Sequence, residues 1–256
     1  MFETAIEIAE AAGELALNHF GRLGAEAVDS KGVLDLVTEA DRAVEAFLNE
    51  QLRRAWPEDG VFGEEGANVA GTSGRVWVVD PIDGTFNFVR GGEQWAVSIG
   101  LYERGRPVFG VLNLPARREV YVGGEGVEAR LNGRPLPPAV ALDRSRAVVS
   151  VGFHPSIPVA ERLETLDFVM GEGGFAMRSC GSCVASLMEI ARGETDGYIG
   201  NGESSWDVMG ALAVLDALGF QSTIDWSRAS LRSRFRFAVG SRDFLHAVEG
   251  LIPFGT

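Results

Sequence analysis

Asp80-Pro81-Ile82-Asp83-Gly84-Thr85 holds the richest chemistry in this sequence. The run before it, Val76-Trp77-Val78-Val79, is short, continuous and apolar, as a buried strand is. Pro81 has no N–H for a ladder, so the strand is expected to stop at Asp80-Pro81 and to leave the Ile82 carbonyl facing a ligand. Asp83 follows Asp80 by three residues, across the turn, so both carboxylates can face one point. Two carboxylates and a carbonyl form a hard, all-oxygen donor set that suits Mg²⁺ rather than zinc. Gly84 lets the backbone approach a bound group closely. Thr85 opens a short helix, whose first N–H groups favour an anion such as phosphate. A plain strand followed by a helix that Asp83 caps is the alternative.

Three further acidic segments raise the same pair of readings. Gly63-Glu64-Glu65-Gly66 is either a solvated loop or a fixed, reachable Glu64. Asp207, in Ser205-Trp206-Asp207, either caps the apolar helix that follows or supplies a third carboxylate to a metal cluster. Thr38 and Asp41 have capping-box spacing at the start of a helix, and Lys31, the chain's only lysine, is either a solvated charge or a phosphate contact. Cys180-Gly181-Ser182-Cys183 has thioredoxin-like spacing, but it comes late in the chain and reads better as a tight turn into a helix. His19, His154 and His246 are scattered, which gives no support to zinc or to a histidine triad.

The elements that must position these residues follow from periodicity. Helices are expected over the first twenty residues and over 39–55, 159–170, 182–192, 207–218 and 242–251. Strands are expected at 76–79, 96–102, 108–114, 119–122, 147–151, 175–177, 196–199 and 235–239. The second half alternates strand and helix, which implies α/β layering, and the Pro-rich piece Pro135 to Pro138 suggests a boundary near Asp143. The expected division is 1–143, carrying most ligands, and 144–256, supplying Asp207 and substrate contacts.

Length and charge bound the rest. A chain of 256 residues with 46% hydrophobic and 23% charged residues can build a sizeable core. A net charge of −13 argues against a nucleic-acid groove or an anionic membrane surface as the main partner. Two cysteines cannot staple a secreted scaffold, no apolar run is long enough to span a membrane, and the N-terminus lacks a signal pattern, so a cytoplasmic protein is expected.

Taken in order, the segments resemble the inositol monophosphatase family. They are Asp35 to Asp41, Gly63 to Glu65, Asp80 to Thr85 with Asn87-Phe88, Arg178 to Ser182, and Trp206-Asp207. The resemblance covers almost the whole chain. It implies a layered αβαβα sandwich of the inositol monophosphatase and fructose-1,6-bisphosphatase type. It also implies hydrolysis of a phosphate monoester with two or three Mg²⁺ per subunit. Carried over, Glu64, Asp80, the Ile82 carbonyl, Asp83 and Asp207 look like metal ligands, and Thr85 and Asp41 like the pair that positions and deprotonates water, with Glu64 assisting. Asp83, Gly84, Thr85, Arg178, Ser182, Glu203 and Lys31 are the expected phosphate and substrate contacts. The family's inositol-contacting Glu falls seven residues before the Trp-Asp aspartate, where this chain has Gly200. The expected substrate is therefore a small polyol or sugar phosphate. Histidinol phosphate, fructose 1,6-bisphosphate and a nucleotide 3′-phosphate are alternatives, as is a non-catalytic role in transcription or RNA machinery. Many relatives are homodimers, which makes a homodimer the expectation here.

Overall fold

A computed structural model of the chain describes residues 2–21, 28–32, 35–66 and 68–252. The chain opens with α1 (Phe2–His19), a hairpin of β1 (Val28–Gly32) and β2 (Asp35–Thr38), and α2 (Glu39–Ala55). It continues through β3 (Gly60–Gly63), β4 (Asn68–Val69), β5 (Val76–Asp83), the short α3 (Thr85–Val89), β6 (Ala96–Glu103) and β7 (Arg106–Leu114). Next come β8 (Glu119–Gly124), β9 (Val127–Leu131), β10 (Arg134–Pro135), β11 (Val148–Phe153), α4 (Val159–Met170) and β12 (Ala176–Arg178). The remainder is α5 (Cys183–Ala191), β13 (Gly197–Ser204), α6 (Ser205–Ala217), β14 (Gln221–Ser222), β15 (Arg234–Gly240) and α7 (Arg242–Ala247).

Two sheets dominate. The larger has eight strands in the order β10-β9-β8-β7-β6-β5-β3-β4, antiparallel except where β3 runs parallel to β5. The smaller has the order β12-β11-β13-β15-β14, with β11 parallel to both β12 and β13. Apolar contacts arrange these into five layers. Ala5, Ala9, Ala12, Val44 and Leu48 of α1 and α2 cover one face of the large sheet. Val184, Leu187, Ala211 and Val214 of α5 and α6 fill the space between the sheets, against Leu112 and Tyr121 on one side and Tyr198 and Phe237 on the other. Val169 of α4 and Phe244 and Leu245 of α7 cover the outer face of the small sheet. This is the expected αβαβα order.

The central helices explain why α6 is apolar all round, since it has a sheet on both sides. Glycines set how closely it sits. A Cβ on Gly110 would lie 2.0 Å from the Gly210 carbonyl oxygen, and one on Gly100 would lie 2.7 Å from the Gly210 nitrogen. The α6 backbone therefore rests directly on β6 and β7. That contact fixes the first turn of α6, where Asp207 lies three residues before Gly210, near β5.

Several boundaries differ from the sequence expectation. β5 does not stop at Pro81. It runs to Asp83 through a bulge, in which Asp80 pairs with Ser98 and Asp83 with Ala96. A bulge tolerates proline because the missing N–H falls on the unpaired residue. Asp207 is not the N-cap of α6 but its third residue, in a capping box with Ser204. α7 ends at Ala247 rather than at Leu251, and β13 runs five residues past Ile199. Among the described residues no helix is long and apolar enough to cross a membrane.

Candidate metal centre and cleft

Asp80 and Asp83 arrive together because the bulge in β5 makes two residues of that strand span one of β6. Asp207 arrives from the first turn of α6. Each carboxylate offers an oxygen, and these three oxygens all lie within 4.8 Å of one another. Asp80 is fully buried; Asp83 is 6% exposed. The Asp80 Oδ1 accepts from the Ile82 N–H at 3.0 Å, while its Oδ2 is buried without a hydrogen-bond partner among the described residues. A buried, unpartnered carboxylate oxygen facing two more carboxylates is unfavourable unless a cation sits there. The donor set is all oxygen and suits a hard divalent ion, so the residues present fit Mg²⁺.

Electrostatics agrees. Burial, then the charges of Glu64, Asp83, Asp207 and Asp41, pushes the Asp80 carboxyl well above the usual range. Burial followed by Glu203, Asp83 and Glu64 does the same to Asp207, against the 2.5 Å bond that its Oδ2 accepts from the Ser204 N–H. Asp83 is raised to about 6 by burial. The start of α5 moderates that rise: the Asp83 carboxylate accepts from the Ser182 hydroxyl, from the Cys183 N–H at 3.1 Å and from the Val184 N–H at 2.9 Å.

Asp41 is both a cap and a site residue. Its Oδ2 accepts from the Thr38 N–H at 2.8 Å and the Thr38 hydroxyl at 2.5 Å, which completes the capping box of α2. Its Oδ1 lies 3.2 Å from the Thr85 hydroxyl, which also lies 3.0 Å from the Ile82 carbonyl oxygen. Thr85 has one proton for two acceptors, so its lone pairs remain available to a water. Burial holds the Asp41 carboxyl above its ordinary value, against the Thr38 hydrogen bonds.

These groups open on a cleft of about 360 Å³. Glu64, Gly84, Thr85, Trp206 and Asp207 line it near the acids, and Leu36 from the β1–β2 hairpin adds an apolar wall. Gly84 sits at φ 88° and ends the bulged strand; a Cβ there would lie 2.8 Å from the Gln94 carbonyl oxygen. Glu64 stands on the cleft wall outside the three-carboxylate group, near enough to raise Asp80 and Asp207. The Glu64-Glu65 loop is held to α2, because the Glu65 N–H donates to Glu45 Oε2 at 2.7 Å.

Other expected contacts lie elsewhere. The Ser182 hydroxyl caps α5 through the Ala185 N–H at 3.0 Å, besides its bond to Asp83. Arg178 pairs with Glu189 at 3.1 Å and Glu194 at 3.6 Å, on the edge strand of the small sheet. Glu203 accepts from the Tyr198 hydroxyl at 2.6 Å, and burial pushes its carboxyl up to about 7. Lys31 falls in β1, and its side chain lies outside the described residues. Gly200 is pressed against the Phe237 ring, 2.4 Å from where its Cβ would be. Both cysteines are free thiols, and burial raises both. Sequence reasoning missed Arg234 and His154, which line the same cleft. The only local signal was Gly202 inside an otherwise extended run, which marks a bulge.

Comparison with known proteins gives the same picture. The chain is 33% identical over 265 residues to the Nus factor SuhB of Pseudomonas aeruginosa, covering 99% of this chain and 96% of that one. It is 35% identical over 216 residues to the inositol-1-monophosphatase of Rhizobium meliloti, covering 83% and 80%. The structure of the extragenic suppressor protein suhB of Bartonella henselae superposes with a TM-score of 0.86 at 25% identity, covering 98% of each chain. The sequence profile of one family matches residues 1–245, a span that takes in every acid of the cluster. The chain belongs to the inositol monophosphatase family.

Proposed function

We propose that this chain is a Mg²⁺-dependent phosphate monoester hydrolase acting on a small polyol or sugar phosphate. The observation that carries this reading is the unpartnered Asp80 Oδ2, facing two further carboxylates beside the Asp41–Thr85 pair. Asp80, Asp83, Asp207, Glu64 and the Ile82 carbonyl would hold two or three ions. Bound there, the ions supply charge neutralisation and make water a better acid. The chain's own residues do the rest. Thr85 accepts a hydrogen bond from the attacking water while donating to Asp41, and Asp41 takes the proton through that hydroxyl. Burial raises its carboxyl above the ordinary value, which favours taking up a proton. Gly84 and Thr85 present backbone N–H groups to the phosphate. No side chain needs to act as a nucleophile, because phosphoryl transfer depends on positioning and charge more than on covalent chemistry.

A second reading, a regulatory role without catalysis, draws on the relatives called Nus factor. The complete acid set argues for retained catalysis in this chain. A phosphate-release screen with Mg²⁺ separates the two. It should span inositol 1-phosphate, histidinol phosphate, fructose 1,6-bisphosphate and adenosine 3′,5′-bisphosphate. Turnover of one or more supports the hydrolase, and no release from any member leaves the regulatory reading.

A further inference from the structure

A second pocket, of about 300 Å³, lies at the other end of α6 and shares no lining residue with the metal cleft. Asp207 stands in the first turn of α6, and Leu215, in the pocket wall, is about 12 Å further along the helix. One helix end builds the pocket. Gly219, at φ 88°, turns the chain out of α6. Its N–H donates to the Asp216 carbonyl at 2.9 Å, and the Phe220 N–H donates to the Leu215 carbonyl at 3.1 Å. This is the Schellman pattern, which folds Phe220 back beside Leu215. Both side chains line the pocket, and Trp226, from the segment after β14, adds an aromatic wall. The indole is held by ring contacts to Phe235 at 5.5 Å and Tyr102 at 6.3 Å.

The charge at this pocket is one-sided. Asp216 lines it from the last turn of α6, where the helix carbonyls already form the negative end of the dipole. That turn holds no basic residue, and among the described residues no cation lies within ion-pair distance of Asp216. Arg106 also lines the pocket, but its charge is met elsewhere. Glu125 Oε2 accepts from Arg106 at 2.9 Å and from Arg104 at 2.8 Å, and Glu103 lies 3.4 Å from Arg104. Those two arginines and two glutamates balance, which leaves Asp216 and the helix end as the uncompensated charge.

We propose that this pocket binds a small organic cation, an amine carried on an aromatic or branched apolar body. The ammonium lies against Asp216 and the end of α6, and the apolar body lies among Leu215, Phe220 and Trp226. An ammonium on a carboxylate makes a charge-assisted hydrogen bond, and an indole wall favours a cation further. An anion of the same shape would meet Asp216 and the helix carbonyls, and a neutral alcohol would leave both to water. The volume is that of a small-molecule site, apolar with a few polar groups at fixed places.

The test is the affinity of the full chain for three probes of like shape, read by ligand-observed NMR titration. These are 2-phenylethylamine, 2-phenylethanol and 3-phenylpropionate, each added with excess Mg²⁺ to compete for the acid cluster. The amine should bind about tenfold or more tightly than the alcohol, as a charged hydrogen bond implies, and the carboxylate should bind weakest. In Asp216→Asn the amine should lose that advantage while the alcohol is unchanged. Asp216 is exposed, so this variant keeps the fold. In Trp226→Ala the amine and the alcohol should both weaken. Equal binding of amine and alcohol to the unmodified chain overturns the inference, as does no measurable binding of the amine. Amine binding that is unchanged in Asp216→Asn overturns it too, because the cation then sits elsewhere, as at the acid cluster. Binding needs no turnover, so each of these outcomes leaves the hydrolase reading where it stands.

Discussion

At the scale of single residues, the site is made of groups that each do two jobs. Asp41 closes a capping box and reaches Thr85; Asp83 receives the start of α5 and faces Asp80 and Asp207; Asp207 sits in a capping box at the start of α6. This is why the sequence left capping and ligation open: the spacing for both is the same, and a capping hydrogen bond leaves the carboxylate's other oxygen available. Asp80→Asn replaces one carboxylate oxygen with an amide NH2 and removes the charge, and should abolish phosphate release while leaving the fold intact by circular dichroism; unchanged turnover would refute its role. Thr85→Ala should lower kcat by about 10²–10⁴, the range of general-base assistance, with Thr85→Ser retaining most activity. An equal loss in both variants would show that the hydroxyl is not what matters. The raised acids also set a pH dependence. Asp83 at about 6 and Glu203 at about 7, with Asp80 and Asp207 raised further, hold protons in the folded state that the unfolded chain has released. Where the folded state binds more protons, stability falls as pH rises. Metal-free protein should therefore have a lower Tm at pH 8 than at pH 5.5, and Mg²⁺ should raise Tm more at pH 8. A higher metal-free Tm at pH 8 would contradict the burial of these acids.

At the scale of elements, α5 and α6 carry the geometry. The α6 backbone rests on Gly110, and Gly110→Ala would force a Cβ to 2.0 Å from the Gly210 carbonyl oxygen. Overpacking of this kind costs about 1–3 kcal/mol, and here the strain falls on the helix that holds Asp207. The variant should lose both Tm and activity; a stable variant with normal turnover would show that α6 need not sit so closely. Helix extents were legible because apolar periodicity is local: α2 and α4 span the residues their patterns indicated. The β6–β7 hairpin was legible too, and its Arg104-Gly105 turn has both φ values positive, as a tight two-residue hairpin requires. What was not legible were pairings between distant segments. β1–β2 and β3–β4 are short and carry no alternation, and the bulges at Pro81 and Gly202 exist only relative to a partner strand. Arg234 and His154 were missed for the same reason, since each comes next to Gly202 only through that second bulge.

At the scale of the whole molecule, the net charge of −13 changes meaning once the acids are placed. Asp80, Asp83 and Asp207 converge within 4.8 Å, with Glu64 on the same cleft. Without cations that cleft would repel a phosphate ester; with two or three Mg²⁺ the total becomes −9 to −7. The account's central claim is therefore that the cluster is a metal centre on which hydrolysis depends. The most direct measurement is the rate of phosphate release from the best substrate in the screen, with Mg²⁺, after chelation by EDTA, and after Mg²⁺ is restored. Release with Mg²⁺, none in chelator and full recovery on restoration are expected. Release that continues unchanged in EDTA would contradict it.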